Sequence, residues 1–149
     1  MSDLQLDALT LGRDITADDV VESLSFFDDW EERYGYIIDL GKQLPPMPDT
    51  LKTDDRFIRG CQSQVWLEIQ HDAASGEMHM AVDSDALIVR GLGAIVLAAL
   101  NHKTPADIVG YDMGAYFAQI DLLKHLSPTR GNGVRAMVAR IQDEARRRL

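Results

Sequence analysis

Cys61 is the chain's single cysteine. It sits in Arg59-Gly60-Cys61-Gln62-Ser63-Gln64-Val65-Trp66. A lone cysteine is usually a small buried hydrophobe, but three features here suit a reactive thiol. The residue lies in a loop-like stretch rather than on an apolar stripe. Gly60 allows an unusual backbone turn or the close approach of another molecule. Gln62, Ser63 and Gln64 can donate hydrogen bonds to a sulfur anion. Arg56 and Arg59 are the only charged residues from 56 to 67, and a nearby cation stabilises thiolate. At a reference pKa of ~8.5 only a few per cent of a thiol is ionised at pH 7, whereas a pKa near ~7 would ionise about half of it. Asp54 and Asp55 just upstream oppose that effect.

The chemistries open to one thiol are few. An intramolecular disulfide is impossible. An iron–sulfur scaffold normally needs several thiolates. A cysteine hydrolase needs a histidine base, and none of His71, His79, His102 and His125 is adjacent to Cys61 in sequence. His71 and His79 are equidistant from Ser75, which would set them against each other across a hairpin. As a metal pair they lack obvious further ligands. Gly91-Leu92-Gly93 is not a dinucleotide fingerprint, because it falls inside an apolar helical run. A redox sensor, a hydrolase nucleophile and a group carrier all remain open.

The elements that must position the thiol follow from periodicity. Thr16-Ala17-Asp18-Asp19 reads as a helix start, with Val20, Val21, Leu24 and Phe27 at helical spacing. Asp28 with Glu31 predicts a second start, and Trp30, Tyr34, Ile37, Ile38 and Leu44 form its apolar face. Pro45-Pro46-Met47-Pro48 ends that helix. Val65, Leu67 and Ile69 alternate with Trp66, Glu68 and Gln70, the pattern of a half-buried strand. They predict a strand that turns at Ala74-Ser75-Gly76 and returns through Met78, Met80 and Val82. Trp66, Met78 and Met80 read as core. Asp83-Ser84-Asp85 offers a helix cap, and Leu87 to Leu100 is apolar on most sides, hence a buried helix. Thr104-Pro105 and Ser127-Pro128 each place a capping hydroxyl before a proline. Between them Tyr111 to Leu126 is predicted helical, and the last helix carries Val134, Met137, Val138, Ile141 and Ala145 on one stripe. The expected fold is α+β: a small antiparallel sheet, a hairpin with room for a third strand, packed against several helices.

The 149 residues suit one domain, read as 16–149 behind an acidic N-terminal tail over 1–15. Apolar residues are 46%, enough for a core. The net charge of −9 argues against nucleic acid or an anionic membrane as partner. Residues 1–32 hold ten acids and one base, so that segment carries the whole excess. The N-terminus lacks the pattern of a targeting signal. The most apolar run, Ala86 to Leu100, is too short for a membrane span and contains Arg90. A cytoplasmic location is the expectation.

Gly60-Cys61-Gln62-Ser63-Gln64-Val65-Trp66 resembles the SufE/CsdE family of sulfur-acceptor proteins, where this heptapeptide surrounds the working cysteine. Three further blocks match in the family's order: Trp30 to Gly41, Asp83-Ser84-Asp85-Ala86 with Ile88 to Gly91, and Leu126 to Arg130 with Gly133. The departures are Val82 where a glycine often precedes the Asp-Ser-Asp, Gly131-Asn132 after the arginine, and the acidic extension. The resemblance implies that Cys61 accepts sulfane sulfur from a cysteine desulfurase as a persulfide and stimulates that enzyme. The sulfur then passes to an iron–sulfur scaffold or another acceptor. The pyridoxal phosphate belongs to the desulfurase, and this chain is expected to bind no cofactor and no metal. In the family the cysteine loop can tuck its sulfur into an apolar pocket and extend it on docking. Asp85 and Arg130 match positions near that loop, and Gln62 is a further supporting candidate. Asp85 also reads as a first-turn helix acid and Arg130 as a first-turn surface residue. A cysteine hydrolase and a desulfurase-binding regulator that carries no sulfur are the rival functions. A monomer or weak homodimer fits either.

Overall fold

The helix over Leu87–Leu100 (α3) is built from residues that give it no polar side along most of its length, so the rest of the chain wraps it. The computed structural model describes residues 6, 9–59 and 63–149. From Val89 to Leu100 only Arg90 of α3 is not buried. Helix α2 (Trp30–Gly41) crosses α3 at backbone contact distance. The approach depends on Gly91, where a Cβ would lie 2.2 Å from the Ile37 carbonyl oxygen. Gly91-Leu92-Gly93 is thus a packing device, as its place inside an apolar helix implies. The outer face of α3 meets α1 (Ala17–Ser25) and α6 (Pro128–Arg146), while α4 (Pro105–Gly110) packs on α6 and α5 (Met113–Ile120) on α1.

Strands β1 (Val65–His71) and β2 (Met78–Ser84) form the expected antiparallel hairpin, with Leu67 opposite Val82. All seven residues of β2 are buried. One face presents Met78, Met80 and Val82 to the main core, and the other places Ala81 with Leu6, Met47 and Leu51. Trp66 packs half-buried against that smaller cluster. The possible third strand is reduced to single bridges at the two edges, Phe57 with Trp66 and Met78 with Lys103.

Several helix boundaries differ from expectation for local reasons. The N-cap of α2 is Asp29, whose carboxylate accepts from Glu32 N at 2.8 Å, so Asp28 lies one residue outside. Helix α3 is capped by the Ala86 backbone without a side-chain bond, because Asp83 and Asp85 serve other partners. The predicted helix over 111–126 splits into α5 and a 3₁₀ turn at Leu123–His125, since Asp121 adopts a left-handed conformation (φ 57°) that ends α5. Thr104 and Ser127 cap α4 and α6 as their sequences predict.

Residues 9–15, placed in the tail by their weak periodicity, lie on the domain. Leu11 is buried in the main core, the Asn101 amide donates to Leu11 O at 3.0 Å, and Gly12 (φ 90°) sits against the Asn101 backbone. These contacts are made by backbone carbonyls and one side chain, which leave no repeating apolar pattern to read. Among the described residues no helix is long and apolar enough to cross a membrane.

Candidate functional site

Gly60, Cys61 and Gln62 lie outside the described residues, so the site is built from what flanks them. On the C-terminal side the chain enters β1 at once. The Asp85 carboxylate accepts from Gln64 N at 3.0 Å, and Asp85 N donates to Gln64 O at 3.4 Å. The hairpin is therefore extended by one pair beyond Val65–Ser84, and that pair anchors the backbone three residues after Cys61. Asp85 stands before α3 rather than in its first turn, so its loop-anchoring role is the one the geometry supports.

Next to Ser63 is a small, mostly apolar cleft between α3 and α6, lined by Ser63, Val89, Leu92, Arg130, Val134 and Met137. Its enclosed part admits about one water-sized atom. Arg130 sits in the first turn of α6, where its backbone N–H donates to the Ser127 hydroxyl at 3.2 Å. Its Nη1 is buried and has no hydrogen-bond partner among the described residues. Such a donor costs about 1–3 kcal/mol if left unsatisfied, and more for a charged group. Arg130 also lines an open groove with Tyr34, Ile38, Ile88, His125 and Leu126. The His125 ring there stacks on Trp30 at 4.0 Å, and the Tyr34 hydroxyl donates to the His125 carbonyl. Leu87, beside this groove in sequence, is 60% exposed.

The local charge differs from a count along the chain. The Arg56 guanidinium bonds Glu68 Oε1 at 3.1 Å and the Thr53 hydroxyl at 2.8 Å. Its charge is thus met by a carboxylate on β1. Arg59 is exposed, 5.9 Å from the Phe57 ring. The expected opposition from Asp55 stands: its carboxyl is held below the usual range, first by a hydrogen bond from the Thr53 hydroxyl, and so remains an anion. Arg130, distant in sequence, is the cation that borders the cleft.

No histidine lines the cleft among its described residues. The pair expected between His71 and His79 does not form, because the register sets His71 opposite Met78 and His79 opposite Gln70. Neighbouring strand positions point to opposite faces. His79 instead meets His102, at the far end of a hairpin about 20 Å long.

One residue the sequence undervalued is Asp83. Its buried carboxylate accepts from Met47 N at 2.9 Å and lies 3.4 Å from Arg90 Nε and 3.7 Å from Lys52 Nζ. Arg90 in turn donates to Leu44 O at 2.9 Å. Asp83 and Arg90 therefore fasten the proline-rich connection after α2 to the hairpin and α3. The signal was a charged pair flanking a buried run, which sequence alone reads as a cap and an interruption.

Comparison with known proteins agrees with this architecture. A family model described as "SufE: Fe-S metabolism associated domain" matches residues 18–145. An uncharacterized SufE-like protein of Rhizobium meliloti is 44% identical over 135 residues, covering 89% of this chain and 96% of its own. One of Rhizobium etli is 44% identical over 132 residues, covering 87% and 88%. The fold matches the solution structure of a hypothetical protein from Thermus thermophilus with a TM-score of 0.71 at 16% identity, covering 88% of this chain and 93% of that one. With a family model spanning both the Cys61 loop and the Asp85–Arg130 surroundings, this chain belongs to the SufE family and is associated with iron–sulfur metabolism.

Proposed function

We propose that this chain is a persulfide carrier that works with a pyridoxal-phosphate cysteine desulfurase in the cytoplasm, stimulates it, and delivers sulfur for iron–sulfur cluster assembly. The Cys61 thiolate attacks the terminal sulfur of the desulfurase persulfide. A new S–S bond forms at Cys61, the old S–S bond breaks, and the desulfurase thiolate leaves. Cysteine persulfide has moved from one protein to the other with no net oxidation. This is thiol–disulfide exchange in form, and it needs a thiolate, access and a good leaving thiolate. The pyridoxal phosphate stays with the partner.

The observation that carries the reading is the cleft bordered by Ser63 and Arg130. Ser63 is two residues from Cys61, so covalent geometry keeps their Cα atoms within about 7 Å. A one-atom apolar cleft with a guanidinium nitrogen that has no partner among the described residues suits a shielded sulfur anion: the apolar walls exclude water and the cation favours ionisation. Asp85 fixes the backbone at Gln64, where the chain passes from the cysteine segment into β1. The groove through Ile38, Ile88 and Leu126, with exposed Leu87, supplies apolar surface around the same arginine for the desulfurase to cover.

The test is intact mass after incubation with a cysteine desulfurase and cysteine, without reductant. One sulfur atom should be added, removed by thiols, and absent from Cys61→Ser. A wild-type protein that gains no sulfur from its own organism's desulfurases would overturn the proposal. A Cys61→Ser protein that still stimulates the desulfurase fully would point to a regulator instead.

A further inference from the structure

At the turn of the hairpin, away from the Cys61 end, His79 and His102 share a hydrogen bond between their Nδ1 atoms at 2.7 Å. The proton positions follow from the neighbours. His102 Nε2 is 2.8 Å from the Leu9 carbonyl oxygen, which can only accept, so Nε2 carries the hydrogen. The neutral His102 ring then has its lone pair on Nδ1, and His79 Nδ1–H must donate to it. This leaves the His79 Nε2 lone pair facing outward. It faces Asp72 Oδ2 at 3.9 Å and Glu77 Oε1 at 4.0 Å. His79 Nε2 thus faces two carboxylates. Those separations exceed hydrogen bonds and lie about half an ångström beyond the ~3.4 Å between two ligands of one tetrahedral zinc ion, a gap that rotation of the two partly exposed carboxylates can close.

From this arrangement we infer that the hairpin turn is a binding site for a divalent first-row transition ion, with His79 Nε2, Asp72 and Glu77 as ligands and water completing the shell. One imidazole with two carboxylates is a borderline donor set of the zinc, cobalt and nickel type rather than a calcium cage. His102 is a positioning residue, not a ligand. Its Nδ1 is engaged with His79 Nδ1 at 2.7 Å and its Nε2 with the Leu9 carbonyl at 2.8 Å, so both ring nitrogens are already partnered. Its role is that of a partner that fixes the tautomer of a metal-binding histidine. His102 has a left-handed backbone (φ 62°), uncommon for a residue with a side chain and typical of a position held for its geometry. Asp72 is preoriented too: the Ser75 hydroxyl donates to its Oδ2 at 3.1 Å and Ala74 N to its Oδ1 at 2.9 Å. Both carboxylates are partly exposed and His79 is buried, so an ion enters from solvent between the two acids.

The test uses untagged full-length protein carrying Cys61→Ser, which removes the competing thiol. Titration with Zn²⁺ by calorimetry and with Co²⁺ by visible absorption should give saturable one-to-one binding. The His79 Nε2 nitrogen resonance should shift on Zn²⁺ addition while Nδ1 stays protonated. Glu77→Gln and Asp72→Asn replace groups at the surface, keep the fold measurable by circular dichroism, and should each weaken binding at least tenfold. His102→Asn should weaken it about 10–100-fold, the usual effect of losing such a partner. No saturable binding, or binding that Glu77→Gln and Asp72→Asn leave unchanged with an unmoved His79 Nε2 resonance, would overturn the site. A His79 that takes up a proton but no metal is the same refutation.

Discussion

Replacing Asp85 by alanine isolates what anchors the backbone after Cys61. The substitution deletes the acceptor 3.0 Å from Gln64 N and leaves the backbone bond from Asp85 N to Gln64 O at 3.4 Å. A hydrogen bond to a charged group is worth about 1.5–3 kcal/mol when enclosed. This one is exposed, and the freed Gln64 N–H can be rehydrated, so the expected loss is ~1 kcal/mol. In a domain of this length that lowers the melting temperature by roughly 2–4 °C. Locally it shifts the closed-to-open ratio of the last hairpin pair by a factor of about 5. Hydrogen exchange at the Gln64 amide should therefore quicken about fivefold, while amides at the centre of β1 change only with global stability. Asp85→Asn retains an acceptor oxygen and should recover about half of the loss. Alkylation of Cys61 should become faster in Asp85→Ala, and sulfur uptake from the desulfurase should be altered in the same variant. Unchanged Gln64 exchange together with unchanged alkylation would refute the anchoring role.

Three further outcomes follow from other contacts. Gly91→Ala would place a methyl group 2.2 Å from the Ile37 carbonyl, a clash with backbone that neither helix can relieve cheaply. The expected cost is ~3 kcal/mol or more, read as a fall in urea midpoint, and a loss under ~1 kcal/mol would contradict the close packing of α2 on α3. Arg130→Met should raise the pH midpoint of Cys61 alkylation by about one unit, the low end of what a neighbouring opposite charge is worth, and Arg130→Lys should restore most of it. An unmoved midpoint would remove Arg130 from thiolate stabilisation. The buried Tyr116 hydroxyl donates to Ile95 O at 3.0 Å, so Tyr116→Phe should cost ~1 kcal/mol at neutral pH. Burial holds the Tyr116 phenol far above its ordinary value. The unfolded chain therefore loses that proton first as pH rises past ~10, and wild type loses stability there. The gap between wild type and Tyr116→Phe should narrow above that pH; a constant gap would mean the hydroxyl is not buried as described.

Much of this molecule could be read from its sequence because its core elements carry strong local patterns. The alternation of Val65, Leu67 and Ile69 set the hairpin directly after Gly60-Cys61-Gln62, and the apolar run from Leu87 set the central helix. What could not be read depends on pairs far apart in the chain. Asp-Ser-Asp before an apolar run looks like a cap from within that segment, but Asp85 meets Gln64 and Asp83 meets Met47 across the fold. Arg56 counts as a free cation beside the cysteine until Glu68 is brought next to it. His79 was paired with His71 by symmetry about Ser75, while the observed register and the return of the chain at His102 decide otherwise.

The acidic front end changes meaning on the same grounds. Its carboxylates are not a uniform field. Asp19 caps α1 through Thr16 N at 2.9 Å, Asp29 caps α2, and Asp18, Glu31 and Glu32 occupy first turns where the helix dipole favours them. Two neighbouring helix starts therefore account for about half of the excess without invoking a partner. Residues 9–15 of the segment are tied to the domain, since Leu11 is buried and Asn101 holds its carbonyl. Deleting residues 1–15 would then remove core packing along with charge, and a change in desulfurase association after that deletion could not be assigned to electrostatics. Neutralising Asp14, Glu22 and Asp28, exposed acids that cap nothing, leaves the packing intact and is the perturbation from which steering can be judged by its salt dependence.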